Sequence, residues 1–128
     1  MKTLWLPAYL RPHYEAELQA AQAAYNRREP TTAFRHLERA HILGQRWALP
    51  HTYTHLLMLR HGWRTRDMHE ILGQVPRIVF GFFMSMFGRV PTGNTGGANV
   101  SPEQPMPIPV DLQLLLASEA QHSFRKQN

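Results

Sequence analysis

Five of the chain's eight histidines fall in one stretch, HLERAHILGQRWALPHTYTHLLMLRH at positions 36–61: His36, His41, His51, His55 and His61. His51 and His55 are four residues apart, so on a helix one ring lies a turn above the other on the same face. Two imidazoles placed in this way can bind one metal ion. A metalloprotease needs a general-base glutamate directly after the first histidine, and Thr52 stands there instead. The spacing alone is a weak signal, because eight histidines scattered at random over 128 positions give about half such a pair. A histidine between helices is often simply hydrogen-bonded to a carbonyl or a carboxylate. Structural histidines and a metal site therefore both remain open at this point.

The preceding stretch extends the candidate set. His36 and His41 sit about 140° apart around an ideal helix and do not easily share an ion. Glu38 and His41, three apart, do share a face. If a short turn brings this helix antiparallel to the one carrying His51 and His55, then His41, His51 and His55 lie near the same end of the hairpin. Glu38 is the candidate fourth ligand, and His36, one turn deeper, is a further candidate. Nitrogen and oxygen donors of this kind suit zinc, copper, nickel or iron. Haem, using one or two of the same imidazoles axially, is a less favoured cofactor. His61 faces elsewhere, and His13, His69 and His122 stand alone.

Other chemistries find little support. There is no cysteine, which removes disulfides, thiolate catalysis and cysteine-ligated clusters. No serine sits in a GxSxG elbow, and no catalytic residue is assigned. GNTGGAN, residues 93–99, is no P-loop, since it lacks the lysine and a preceding strand. Its consecutive amides can still cradle an anion. Asn94, Gly96, Gly97 and Asn99 are thus candidates for contacting a metal-bound ligand or cofactor, with the loop folded back over the histidine face as a lid.

The elements that must position these groups are helical. Pro12 opens a first helix running to about Arg28, with Tyr14, Leu18, Ala21 and Tyr25 on one stripe. Pro30 opens a second, lined by Phe34, Leu37 and Ala40 and ended by Gly44. Pro50 opens a third, stopped by Gly62. Thr65 caps a fourth, whose stripe is Met68, Ile71, Leu72 and Val75, and Pro76 is expected to kink or break it. A fifth segment, 77–87, is apolar almost all round and should be central in the core or buried against a partner. Residues 89–109 form a long Gly/Pro-rich loop before a last helix over roughly 110–123. No alternating strand pattern occurs. The expectation is one all-α domain over 1–128, a bundle of antiparallel helical hairpins with about five to six helices, faintly tetratricopeptide-like. Residues 1–10 would be an N-terminal extension and 124–128 a tail.

Composition bounds the partners. The net charge is +5, and twelve of the fourteen basic residues are arginine. No run of four basic residues occurs, so nucleic acid is not an expected partner. The N-terminus lacks a long apolar run with a cleavage site, and IVFGFFMSMFG, 78–88, is shorter than the roughly 20 residues a membrane span needs. A cytoplasmic protein with no transmembrane segment is expected.

HLERAHILGQ, HTYTHLLMLRHGW, RDMHEILGQ and GRVPTGNTGGANVSPEQPMPIPVDL together resemble a small bacterial family catalogued as domain of unknown function 3703. The resemblance runs from about Arg11 to Leu116, and GNTGGANVS followed by MPIP is its most specific part. It implies no activity. It does imply that His36, His41, His51 and His55 belong to one motif, to which His61 does not, and it raises the weight of a metal site.

Three functions follow in order. The first is binding of a metal ion or metallocofactor by the histidine cluster, in sensing, buffering or handling of the ion. The second is a protein–protein interaction module or homo-oligomer using the apolar 78–88 segment. The third, a metal-dependent hydrolase-like enzyme, needs the metal first, so an enzyme is less expected than a binding protein.

Overall fold

The structure is a computed structural model that describes residues 4–125. Residues 126–128 of the expected tail and the first three residues of the expected extension lie outside the described residues, as does the side chain of His122. Five helices account for the fold: α1 (Arg11–Asn26), α2 (Pro30–Gly44), α3 (Ala48–Thr65), α4 (Met68–Met86) and α5 (Val110–Arg125). Each of the first four packs on its chain neighbour, and α5 packs on α2. This is the outcome that short turns impose, since two- or three-residue connections leave consecutive helices antiparallel and adjacent.

The starts of α1 and α2 follow from proline at the first or second helical position, where a missing N–H costs nothing. Leu6 and Leu10 precede α1 yet are buried with Tyr14, Leu43, Trp47 and Leu112 in the main apolar cluster. Leu49 donates its amide to the Leu4 carbonyl, so the described part of the extension is packed against the body. The Tyr14 hydroxyl donates to the Pro50 carbonyl at 3.0 Å and lies 2.9 Å from Thr54 Oγ1. That contact fixes α1 against α3. Arg39 ties three elements together, bonding Glu17 of α1 and Asp111 of α5 from its place on α2.

The helix boundaries depart from the sequence expectation in three places. α3 begins at Ala48, which puts Pro50 inside the first turn, where no intrahelical donor is needed. Gly62 does not stop it. A Cβ at Gly62 would stand 3.0 Å from Ile71 Cγ1 and 3.1 Å from the Ile71 amide nitrogen, so glycine is there to let α4 approach. The chain instead turns at Arg66, held left-handed at φ 57°. Asp67, not Thr65, caps α4, its carboxylate accepting from the Glu70 amide.

Pro76 does not break α4, and the expected fifth segment is the second half of that one helix. Pro76 is exposed, as is Leu72 one turn before it. The carbonyl that loses its partner is therefore on the water side, where it can be hydrated, and this lowers the usual cost of roughly 3 kcal/mol for an interior proline.

The burial of α4 is the larger correction. Residues 77–87 are not the centre of the core. Glu70, Gln74, Gly81 and Ser85 are the residues of α4 that are buried. Leu72, Val75, Val79, Phe80 and Phe83 are more than half exposed. The helix thus turns its polar stripe inward and its apolar stripe outward. Polar groups are buried at this cost only where something inside uses them, and the inner stripe of α4 faces the histidines. Among the described residues, no helix is long and apolar enough to cross a membrane.

Candidate metal centre

α2 delivers His41 on a buried stripe with Ala33, Leu37 and Ala40, and α3 delivers His51 and His55 on one with Thr54, Met58 and Gly62. The two stripes meet near the Gln45–Trp47 turn. His41, His51 and His55 are 3%, 4% and 3% exposed. Their Nε2 atoms converge: His41 Nε2 is 3.2 Å from His55 Nε2, which is 3.0 Å from His51 Nε2. Three rings from two helices enclose one point.

The other nitrogen of each ring is fixed by the surrounding structure. His41 Nδ1 is 2.8 Å from the Asn94 carbonyl, an atom that can only accept, so this nitrogen carries the hydrogen. His51 Nδ1 is 2.6 Å from Ser85 Oγ. The Ser85 hydroxyl already donates to the Gln45 carbonyl, so it accepts from His51. His55 Nδ1 is 2.7 Å from Gln74 Oε1. The Gln74 amide nitrogen donates to Glu70 Oε1 and to the Gly96 carbonyl, which leaves Oε1 as the acceptor. All three neutral rings are therefore Nδ1–H tautomers, and three Nε2 lone pairs point into one small space.

Lone pairs so close repel unless a cation lies between them. A proton on one Nε2 would serve, but the surroundings oppose it. Burial drives the three rings toward neutrality, His41 well below its ordinary value, His51 to about 3 and His55 to about 4. For His41 the other two rings add to burial and the Asn94 carbonyl opposes it. For His55 the Gln74 bond opposes burial and Arg77 adds to it. Nitrogen ligands about 2.0–2.1 Å from a tetrahedral ion lie roughly 3.3–3.4 Å apart, so the observed separations suit a single transition-metal ion. Among the described residues, these three are the group of metal-binding side chains close enough to hold one ion.

The remaining candidates lie elsewhere. His36 Nδ1 is 2.7 Å from Glu17 Oε2, on a carboxylate that also pairs with Arg39. Glu38 is outside the triad. Burial raises its carboxyl above the ordinary value, opposed by Thr95 and Arg35. His61 bonds the Tyr25 hydroxyl, and His69 donates to the Ala98 carbonyl.

The loop over 89–109 does lie over the histidines, but not as an asparagine-lined ligand cradle. The Asn94 side chain is used inside the loop, donating to the Ser101 and Gln104 carbonyls and accepting from the Gly96 amide. What it presents to the site is its backbone carbonyl. Gly96 lies flat on His41: at φ 83°, a Cβ there would be 2.6–2.7 Å from three atoms of the ring. Gly97 instead packs near Phe34, and Asn99 is exposed. The loop is pinned to α4 by Glu70, whose carboxylate accepts from the Ala98 amide, and by Arg77, which donates to the Val100 carbonyl.

Gln74 and Ser85, the two side chains that set the tautomers of His55 and His51, do not stand out by spacing. Their signal was present as polar residues in a helix with an otherwise apolar tail. A cavity of about 40 Å³ remains beside the triad, walled by Arg77, Phe80, Gly81, Met84 and Pro91. Among the described residues, no carboxylate lines it.

Residues 8–116 match the family model described as "Protein of unknown function (DUF3703)", and the chain belongs to that family. No curated protein and no solved structure matches it.

Proposed function

We propose that this member of the DUF3703 family binds one transition-metal ion through the Nε2 atoms of His41, His51 and His55, and that its role is sensing, buffering or handling of the ion. The observation that carries this is the tautomer set. Three buried Nδ1–H groups are each bound to a protein acceptor, and three lone pairs converge within 3.0 and 3.2 Å contacts. A structural histidine needs its acceptor nitrogen satisfied by a donor, and here the three Nε2 atoms meet one another, while the further contact of the His51 ring, the Gly81 carbonyl, is an acceptor and not a donor.

The ion would supply the positive charge that these lone pairs lack. The protein's own part is preorganisation. The Asn94 carbonyl, Ser85 and Gln74 hold ring orientation and proton position, as partners behind metal-ligating histidines do. Zinc, copper, nickel and iron all accept imidazole. A cavity of about 40 Å³ favours a bare ion with a small added ligand over haem. With Arg77 and no carboxylate in its wall, that ligand would be neutral or anionic. A hydrolase-like activity would need water in that space and ranks behind simple binding.

Elemental analysis of protein purified without an affinity tag, followed by calorimetric titration with each ion, tests the proposal. One equivalent bound at micromolar affinity or tighter is expected. No uptake of zinc, copper, nickel or iron would end it.

The interaction-module function rests on a separate observation, the outward apolar face of α4. The two do not compete, because that face lies on the opposite side of the helix from Gln74 and Ser85.

A further inference from the structure

From the inverted amphipathicity of α4, we infer that its outer face is the surface on which a second copy of this chain docks. Leu72, Val75, Val79, Phe83 and Met86 follow one another at helical steps of three and four, and Phe80 and Phe87 widen the stripe on one side. These, with Met68, are 38–74% exposed. At about 200 Å² for each large side chain, they leave on the order of 900 Å² of apolar surface uncovered. A monomer's largest patch is typically about 300–600 Å², whereas one side of a stable interface covers about 800 Å². The patch is the size of one half of an interface.

Its chemistry selects the occupant. The only arginine of α4 is Arg77, and its guanidinium is held by the Gly73 and Val100 carbonyls. Glu70 is buried and bonded to Gln74 and Ala98. The stripe itself therefore offers no charge for an acidic or basic partner to read. A helix that lies on a membrane surface sets a basic polar face beside its apolar one. The polar face of α4 is instead spent inside the protein. An uncharged apolar helix face is complementary to itself, and two antiparallel copies related by a two-fold axis can cover it while keeping the exposed Arg89, beside Phe87 at one end, away from its own copy. Phe80 belongs both to this face and to the wall of the cavity beside the histidines, so the partner copy would stand at the mouth of that cavity.

Sedimentation equilibrium of the full chain, across the micromolar range, tests this. Twice the 14.8 kDa chain mass is expected. Val79→Glu and Phe83→Glu, both at exposed positions, should each return the protein to single-chain mass with its helical circular dichroism intact. Their metal titration should be unchanged, which separates this inference from the metal site. A wild-type chain that stays at single-chain mass would overturn it. So would a dimer that survives both substitutions, or a monomer that instead pellets with phosphatidylcholine–phosphatidylglycerol vesicles.

Discussion

His41 Nε2 and His55 Nε2 face each other at 3.2 Å, although each ring carries its hydrogen on the far nitrogen. Two acceptors are thus held in contact by groups behind them, the Asn94 carbonyl and Gln74. This tension is the reason to expect that removing one ring matters differently from removing another histidine. His51→Ala or His55→Ala should weaken metal binding by more than the roughly 10–100-fold that loss of an outer partner costs. His36→Ala should leave the affinity within a few-fold, because His36 is paired with Glu17. Calorimetric titration of the three variants decides this. Loss of binding in His36→Ala would move the site.

Ser85→Ala tests the groups behind the ligands. Without the hydroxyl, His51 Nδ1 loses the Ser85 acceptor and the Gln45 carbonyl loses its donor. The ring can then turn or exchange tautomers. Affinity should fall about 10–100-fold with stoichiometry unchanged. An unaltered affinity would mean that helix packing and the Gly81 carbonyl suffice to orient His51.

Much of this arrangement was legible in the sequence. Four-residue spacing put His51 and His55 on one face, and a short hairpin brought His41 to them. Pro30 and Gly44 marked the ends of α2. What was not legible depends on tertiary partners. Gly62 reads locally as a stop, and only the approach of Ile71 explains why it is an interior glycine. Pro76 reads as a break, and only its exposure explains why the helix continues. The orientation of α4 does not follow from its own pattern, because apolar residues normally face inward. That rule yields here to the histidines, which need Gln74 and Ser85 beside them.

The metal-free protein should lose stability as it is acidified. His51 and His55 titrate at about 3 and about 4 when folded, against about 6.5 in an unfolded chain. Below pH 6.5 the unfolded chain therefore binds protons that the folded one does not, and stability falls with pH through that window. The loss attributable to His55 alone is roughly 3 kcal/mol at pH 4. Urea denaturation from pH 7 to pH 4 should show a steadily falling midpoint. Adding metal at pH 7 should raise that midpoint by mass action. A flat profile in the metal-free protein would mean that the rings are already charged or already solvated.

Two glycines separate backbone strain from contact with the site. Gly88 and Gly96 both have positive φ, 69° and 83°. Alanine at either position pays the left-handed cost of about 1–2 kcal/mol. At Gly88 that is the whole cost, because nothing lies within 4 Å of the added Cβ. At Gly96 the Cβ would also press within 2.6–2.7 Å of the His41 ring. His41 is buried and its Nδ1 is bound to the Asn94 carbonyl, so the ring can yield only by giving up that bond or moving into the small cavity beside the triad. Gly96→Ala should therefore lower the melting temperature more than Gly88→Ala, and it alone should weaken metal binding. Equal effects on both measurements would show that the loop does not hold the ring, and that His41 is positioned by α2 alone.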